Sequence, residues 1–315
     1  MFAKHRFWGL HSLIFARCLF LVVALSILFS LLAPPFLSFS NLDNIFSASA
    51  VVGLLALGGT FVIASGEIDL SVASVMALSG VIAAYVSQEV PSPLLTLLAS
   101  AGTGLACGCV TALLINLTRA PSFIITLGML SVARALAYII SSGLPIYGLP
   151  EEVTALGQGR WLGISGPVIF LVLSAVALYV LLHFTRFGSR VLIAGDNSRA
   201  ARAMGINLHF LRFKVFSLAG LLSGIAGFVF MARTNCGDPT AGLNYELTAI
   251  TAIVLGGTKL FGGRANIIGT ILGVYALGVL QNGLNLLAVS SYYQVLFVGF
   301  VLIAAACLDR GEERA

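Results

Sequence analysis

Ten stretches of the chain are apolar almost throughout, and each is bounded by residues that turn or break a helix. They predict spans at Leu13–Ala33, Ile45–Ser65, Leu70–Ser87, Leu94–Leu117, Ser122–Ser141, Ile164–Phe184, Val215–Ala232, Leu247–Thr258, Ile267–Leu287 and Tyr292–Leu308. The punctuation is Pro34-Pro35, Gly66-Glu67, Pro91-Ser92-Pro93, Ala120-Pro121, Gly237-Asp238-Pro239 and Gly262-Gly263. A helix of about 20 apolar residues crosses a bilayer core. Lipid offers no partners for backbone N–H and C=O groups, so such segments must be helical. The eighth stretch is short for a bilayer; it either extends back toward Ala241 or is partly irregular. The pattern predicts an all-α membrane protein, a polytopic bundle of about ten helices.

Composition agrees. Hydrophobic residues make up 59% of the 315, charged residues only 9%, and mean hydropathy is +1.03. Soluble domains carry about 25% charged residues, so this chain cannot cover a water-facing surface. A net charge of +5 would suggest nucleic acid in a soluble protein, but its distribution points to topology and no nucleic-acid partner is expected. With the N-terminus inside and ten spans threaded, the cytoplasmic side holds Lys4, Arg6, Arg17, Arg119, Arg186, Arg190, Arg199, Arg202, Arg212, Lys214, Lys259, Arg264, Arg310 and Arg314. The outer side holds only Arg160 and Arg233, and Arg134 lies within a span. Fourteen against two follows the positive-inside rule and puts both termini in the cytoplasm. The basic start reads as the flank of a retained first helix, about 13–33, because no small-x-small cleavage site follows it. The loops leave no room for a soluble catalytic domain, so residues 1–315 read as one membrane domain. The five cysteines lie mostly in apolar runs and read as small apolar fillers, not metal ligands.

Four polar features carry candidate chemistry. The cytoplasmic loop, about 185–214, contains Gly195-Asp196-Asn197-Ser198, which offers N-cap side chains. Arg199 to Met204 are good helix formers, and Gly205 is a natural stop. This predicts a two-turn helix with a small exposed side at Ala200, Ala201 and Ala203, suited either to docking in another protein's groove or to resting on anionic lipid. The segment from Gly66 to Ser74 sets Glu67 and Asp69 in a tight break. Asp69 or Ser71 can cap the next helix, or the carboxylates can hold a proton or cation. Arg134 sits inside the fifth span, where it can snorkel, bond backbone carbonyls, pair with Glu246 or line a substrate path. Gln281, Asn282 and Asn285 in the ninth span, with Asn116 in the fourth, either join helices or line a path for a polyhydroxylated solute. The Gly-rich run from Leu255 to Arg264 lacks the order of a phosphate loop and follows no strand, so any ATP must be handled by a partner.

Several separate motifs resemble one family. They are Gly66-Glu67-Ile68-Asp69-Leu70-Ser71-Val72, the loop from Gly195 to Ile206, Pro239-Thr240-Ala241-Gly242 with Tyr245-Glu246-Leu247, Val254 to Arg264, and Asn282 to Leu287 followed by Ser290-Ser291-Tyr292-Tyr293-Gln294. Together they resemble the membrane subunit of ribose-type bacterial ABC importers, from about Leu42 to Asp309. The resemblance implies a ten-helix permease of the bacterial inner membrane that pairs with a second copy or a related permease. It implies two ABC ATPase subunits inside and an extracytoplasmic sugar-binding protein outside. No cofactor is expected on this chain, ATP and magnesium belonging to the ATPase. It also implies that Gly195, Asn197, Ala200, Ala201 and Gly205 form the helix coupled to the ATPase. Asp69, Ser71 and Glu246 fall in motifs read as structural or gating. The sequence departs from the family pattern at Ala73 and Ala265, where glycine is common. The sugar expected is ribose or a similar pentose or hexose. The rival is a carrier driven by an ion gradient, which wants a carboxylate near the bilayer midplane, whereas Glu67, Asp69 and Glu246 sit near span ends. An enzyme would need converging His, Asp, Glu or Cys, yet His5, His11, His183 and His209 are scattered.

Overall fold

A computed structural model describes the backbone from Phe2 to Gly311 and the side chains of residues 16–304 and Cys307. The side chains of Lys4, His5, Arg6, His11, Arg310 and Arg314 lie outside the described set. The described residues form thirteen α-helices: α1 (Phe2–Leu32), α2 (Phe39–Ala64), α3 (Val72–Glu89), α4 (Pro93–Thr118), α5 (Ser122–Ile140), α6 (Glu151–Gln158), α7 (Gly166–Phe184), α8 (Arg186–Asp196), α9 (Ser198–Ala203), α10 (Leu208–Thr234), α11 (Tyr245–Leu255), α12 (Ile267–Leu286) and α13 (Ser291–Gly311). Local chemistry sets their starts. Ser38, Ser92, Thr185, Asn207 and Asn266 each accept a backbone N–H of the helix that follows. Pro34-Pro35, expected as a turn, forms a short 3-10 turn, Pro34–Leu37.

Among the described residues seven helices are long and apolar enough to cross a membrane, namely α2, α3, α4, α5, α7, α10 and α12. Shorter apolar stretches occupy Ala16–Leu32, Tyr245–Leu255 and Ser291–Ala304. The expected boundaries need correction in places. α2 starts at Phe39 and not Ile45, because Ser38 supplies a cap that apolarity alone does not register. α10 starts at Leu208 and not Val215, so its first turns, with Arg212 and Lys214, extend beyond the apolar run. The loop expected between about 185 and 214 is mostly helical, through α8 and α9. The outer connection contains α6, with Glu151 and Glu152 in its first turn, and a small hairpin of β1 (Arg160–Trp161) and β2 (Ile164–Ser165). The short eighth stretch is partly irregular: residues 235–244 are turns and loop, with Gly237 bridged to Ile146, and α11 begins at Tyr245.

Burial sorts the helices into a centre and a rim. In the apolar stretches of α2, α3 and α10, 83%, 72% and 72% of residues are buried, against 33%, 22% and 28% in α4, α5 and α7. The rim turns Leu117, Ile139, Leu173 and Phe184 outward. Apolar surface on that scale has no place in water and suits lipid. Where apolar helices meet in lipid, small residues let backbones close in, and α4 crosses α10 this way. A Cβ on Gly104 would lie 2.2 Å from the Gly220 carbonyl oxygen, and one on Gly224 would lie 2.5 Å from that of Ser100. The Ser100 hydroxyl donates to the Gly224 carbonyl at 2.7 Å. The connections gather at two ends of the bundle. One, carrying Arg119, Arg186, Arg190, Arg199, Arg202, Arg212 and Lys259, is the basic end; the other is the far end.

Candidate functional site

At the basic end α9 is a short helix closed at both ends. The Asn197 side chain accepts the N–H groups of Arg199 and Ala200 at 3.0 and 2.9 Å. At its other end Ile206 N donates to Ala201 O at 3.0 Å and Gly205 N to Arg202 O at 2.9 Å, with Gly205 at φ +78°. This pair of bonds is the Schellman stop, which calls for a left-handed residue at Gly205. One expectation is corrected. Ala201 does not lie on the exposed side; it is fully buried and faces the bundle. The exposed face consists of Ala200, Ala203 and Met204, flanked by Arg199 and Arg202.

Three connections meet beside α9 with almost no side chain between them. A Cβ on Gly195 would lie 2.0 Å from the Ala64 carbonyl oxygen and 2.7 Å from Gly263 N. Gly263 N donates to Ala64 O at 3.0 Å. The end of α8 is therefore packed, backbone to backbone, on the end of α2 and on the α11–α12 turn. A cleft of about 510 Å³ opens next to this junction, walled in part by Glu67, Asp196, Asn197, Arg212 and Phe261. Glu67 and Arg212 form an ion pair across it. Asp69 is buried and accepts both the backbone N–H and the hydroxyl of Ser71, at 2.8 and 2.6 Å. Burial holds the Asp69 carboxyl above its ordinary value, and the bonds from Ser71 offset only part of that rise. Ser71 precedes α3 without a side-chain cap bond, so Asp69 organises that start.

Toward the far end a second cavity, about 220 Å³, lies between α2, α11, α12 and the end of α10. Gln281, Asn282 and Asn285 all line it, together with Asn44, Ser49, Arg233, Tyr245 and Thr248. Asn282 exchanges two amide bonds with Asn41, at 2.9 and 2.8 Å. The Asn285 side chain accepts from Gln294 at 2.7 Å, and Asn44 accepts from Arg233 at 2.9 Å. Gln281 has no hydrogen-bond partner among the described residues. The other candidates are not brought to this cavity. Asn116 donates to the His209 carbonyl at 2.9 Å, where α4 and α10 meet at the basic end. Arg134 lies about 18 Å along α5 from Ser122, at roughly 1.5 Å per residue. Of its open alternatives the structure realises the carbonyl bonds: it donates to Pro239 O at 2.7 Å and Ala241 O at 2.9 Å. Non-helical backbone at membrane depth must find partners within the protein, and Arg134 provides them for the segment that leads into α11. Glu246 stands in the first turn of α11, where a helix N-terminus favours negative charge.

The sequence did not single out Asn44, Ser49 or Arg233. Asn44 and Ser49 lie in the first half of α2 as isolated polar positions in apolar context, and Arg233 counted only as an outer charge. A small polar residue on several turns of one buried helix, Asn41, Asn44, Ser47 and Ser49, is the signal that was available.

Bundle and polar cavity together describe a helical membrane permease, and the chain belongs to the family described as branched-chain amino acid transport system / permease component, which matches residues 41–306. Within it the chain is similar to the ribose import permease protein RbsC of Bacillus subtilis, 43% identical over 91% of this chain and 89% of that one. RbsC of Escherichia coli K12 is 38% identical over 94% of each chain. The L-arabinose ABC transporter permease protein AraH of Azospirillum brasilense is 38% identical over 91% of this chain and 85% of the relative. No solved structure matches the chain.

Proposed function

We propose that this protein is the membrane-spanning permease subunit of an ATP-binding-cassette importer for a monosaccharide, ribose or a similar pentose or hexose. α1, α2, α3, α4, α5, α7, α10, α11, α12 and α13 are its ten crossings, α11 completed by the irregular stretch before it. The basic end and both termini face the cytoplasm of a bacterial cell, as the distribution of Lys and Arg favours. A sugar-binding protein delivers substrate at the far end. Two ATPase subunits dock at the basic end, and a second permease, identical or related, completes the pathway. The chain itself handles no nucleotide; ATP and magnesium stay on the ATPase.

The observation that carries this reading is α9. It is capped at both ends, presents Ala200, Ala203 and Met204, and is attached through Gly195 to two other connections. A small rigid helix on that junction suits a lever. Closure of the ATPases on ATP displaces α9, the glycine contacts pass the displacement to the ends of α2 and α11, and the bundle reorients. Relatives named for ribose, L-arabinose and D-allose support a sugar cargo. An amino acid would want an acidic partner for its ammonium group, and no Asp or Glu lines the far-end cavity.

The test is co-purification from native membranes through a C-terminal tag. The reading expects a phosphate-loop ATPase with the wild type, lost with Ala200→Glu or Met204→Asp while insertion is unchanged. Ala201→Glu is unsuitable because it would bury a charge inside the permease. Recovery of the permease with no ATPase would overturn the proposal.

A further inference from the structure

Between α6 and α7 the chain makes a two-stranded hairpin whose tip the rest of the fold does not cover. Its strands pair Arg160 with Ser165 and Trp161 with Ile164, and Leu162 and Gly163 turn between them at φ +54° and +81°. A turn with two left-handed residues favours Asn, Asp or Gly at both places. Gly163 fits, but Leu162 is a bulky residue held where glycine belongs. It is also fully exposed, so no packing among the described residues accounts for it. Trp161 and Ile164 are opposite one another, hence on one face of the hairpin, and both are exposed as well.

The root of the hairpin, by contrast, is fixed. Gly166 N donates to Gly159 O at 3.1 Å. A Cβ on Gly166 would lie 1.8 Å from the Leu156 carbonyl oxygen and 2.9 Å from the Trp161 ring. The Ser47 hydroxyl donates to that of Ser165 at 2.8 Å, which ties β2 to α2. Arg160 pairs with Asp43 at 2.7 Å, and its guanidinium stands 4.7 Å from the centre of the Phe39 ring. Phe39 and Leu37 expose their side chains too, so apolar surface extends from the hairpin, past Arg160, to the start of α2.

We propose that this hairpin is an interfacial anchor: Trp161, Leu162 and Ile164, with Phe39 beside them, dip into the lipid leaflet at the far end. Two observations select lipid. The first is position. β2 runs straight into α7, whose 19 residues span about 28 Å at roughly 1.5 Å per residue, close to the hydrocarbon thickness of about 30 Å. α7 turns Val172, Leu173, Val176 and Val180 outward along the rim, so the hairpin stands where that rim meets the head groups. The second is residue type. Tryptophan, with an apolar ring body and one N–H, suits this boundary, and arginine can keep its charge among head groups while its stem lies on apolar surface. A protein that docks in passing would cover Leu162 only while bound and leave it in water otherwise. Lipid is always present. The anchor is independent of the cargo and of the energy source, and it holds the α6–α7 corner at the bilayer surface.

Tryptophan occurs only at positions 8 and 161, so Trp8→Phe makes Trp161 the sole reporter. The full-length variant is reconstituted into phosphatidylcholine bilayers that are plain, brominated high in the acyl chains, or brominated near the chain ends. The shallow bromines should roughly halve Trp161 emission and the deep ones reduce it little, as expected at the level of an aromatic belt. Leu162→Trp, in a Trp8→Phe and Trp161→Phe background, should be quenched by the shallow bromines at least as strongly. Leu173→Trp in that background, about 10 Å along α7 from Gly166, marks the hydrocarbon and should respond to both. If Trp8→Phe does not reconstitute, the difference between wild type and Trp161→Phe gives the same signal. Quenching of Leu173→Trp with none of Trp161 or Leu162→Trp overturns the anchor. So does Trp161 emission that ignores lipid and shifts only when the sugar-binding protein is added, which would assign the patch to protein docking.

Discussion

The two ends of the bundle surround their candidate sites with different contacts, although each also has some of the other kind, such as the Glu67–Arg212 ion pair at the basic end and the Gly157 contact with Ala232 and Arg233 at the far end. At the basic end the chain closes on itself through glycines: Gly66, Gly195, Gly262 and Gly263 let three connections touch backbone to backbone. Around the far-end cavity side-chain pairs predominate, Asn41 with Asn282, Arg233 with Asn44, Arg160 with Asp43 at 2.7 Å, and Arg134 with two carbonyls. A contact without side chains has no rotamers to absorb a displacement, so it passes movement on. A ring of long polar side chains can exchange partners and leaves a void that changes shape. The difference teaches that the end proposed to receive force is built stiff, and the end proposed to receive solute is built adjustable.

The contrast can be broken, beginning with the core that joins the two ends. Gly220→Val should have the largest effect, since even the first carbon would lie 2.3 Å from the Gly104 carbonyl oxygen. Helices α4 and α10 cannot both stay in place, and little inserted protein should survive, as judged by membrane abundance. Gly195→Ala comes next. Overpacking costs about 1–3 kcal/mol, and here it acts on backbone with no side chain to yield. The expected outcome is an inserted protein whose ATPase still turns over but whose uptake is lost, read as ATP hydrolysed per sugar transported.

The far end should yield more gently. Arg134→Ala leaves the carbonyls of Pro239 and Ala241 without their donor, a cost of about 1–3 kcal/mol for a buried group. It should lower the thermal midpoint in detergent, with Arg134→Lys intermediate. The smallest effect belongs to Asp43→Asn, which removes a partly exposed ion pair worth about 0–1 kcal/mol. A large loss from Asp43→Asn, or none from Gly195→Ala, would reverse the contrast.

Much of this was legible in the chain, and the gaps have physical causes. Apolar runs and their punctuation located the helices because lipid demands helix wherever polarity is absent. The caps and stop of α9 could be read from Asn197 and Gly205, since both act within a few residues. What escaped depended on neighbours distant in sequence. Ala201 looked exposed because alanine has no polarity to orient it, and only the packing of α9 turns it inward. Arg134 had four open fates, and its carbonyl partners lie more than a hundred residues on, in a segment whose irregularity the pattern only hinted at. The Gly195–Gly263 junction was hidden because glycine serves as turn, stop and close contact alike.

The most direct test of the central claim is the energy source for uptake by cells carrying the intact transport system. Radiolabelled D-ribose, L-arabinose and D-allose are supplied while ATP is depleted at constant membrane potential, and separately while an uncoupler collapses the gradient at maintained ATP. The account predicts that uptake of at least one sugar stops with ATP depletion and continues with the uncoupler. Uptake that survives ATP depletion and stops with the uncoupler would contradict it and identify a carrier driven by an ion gradient.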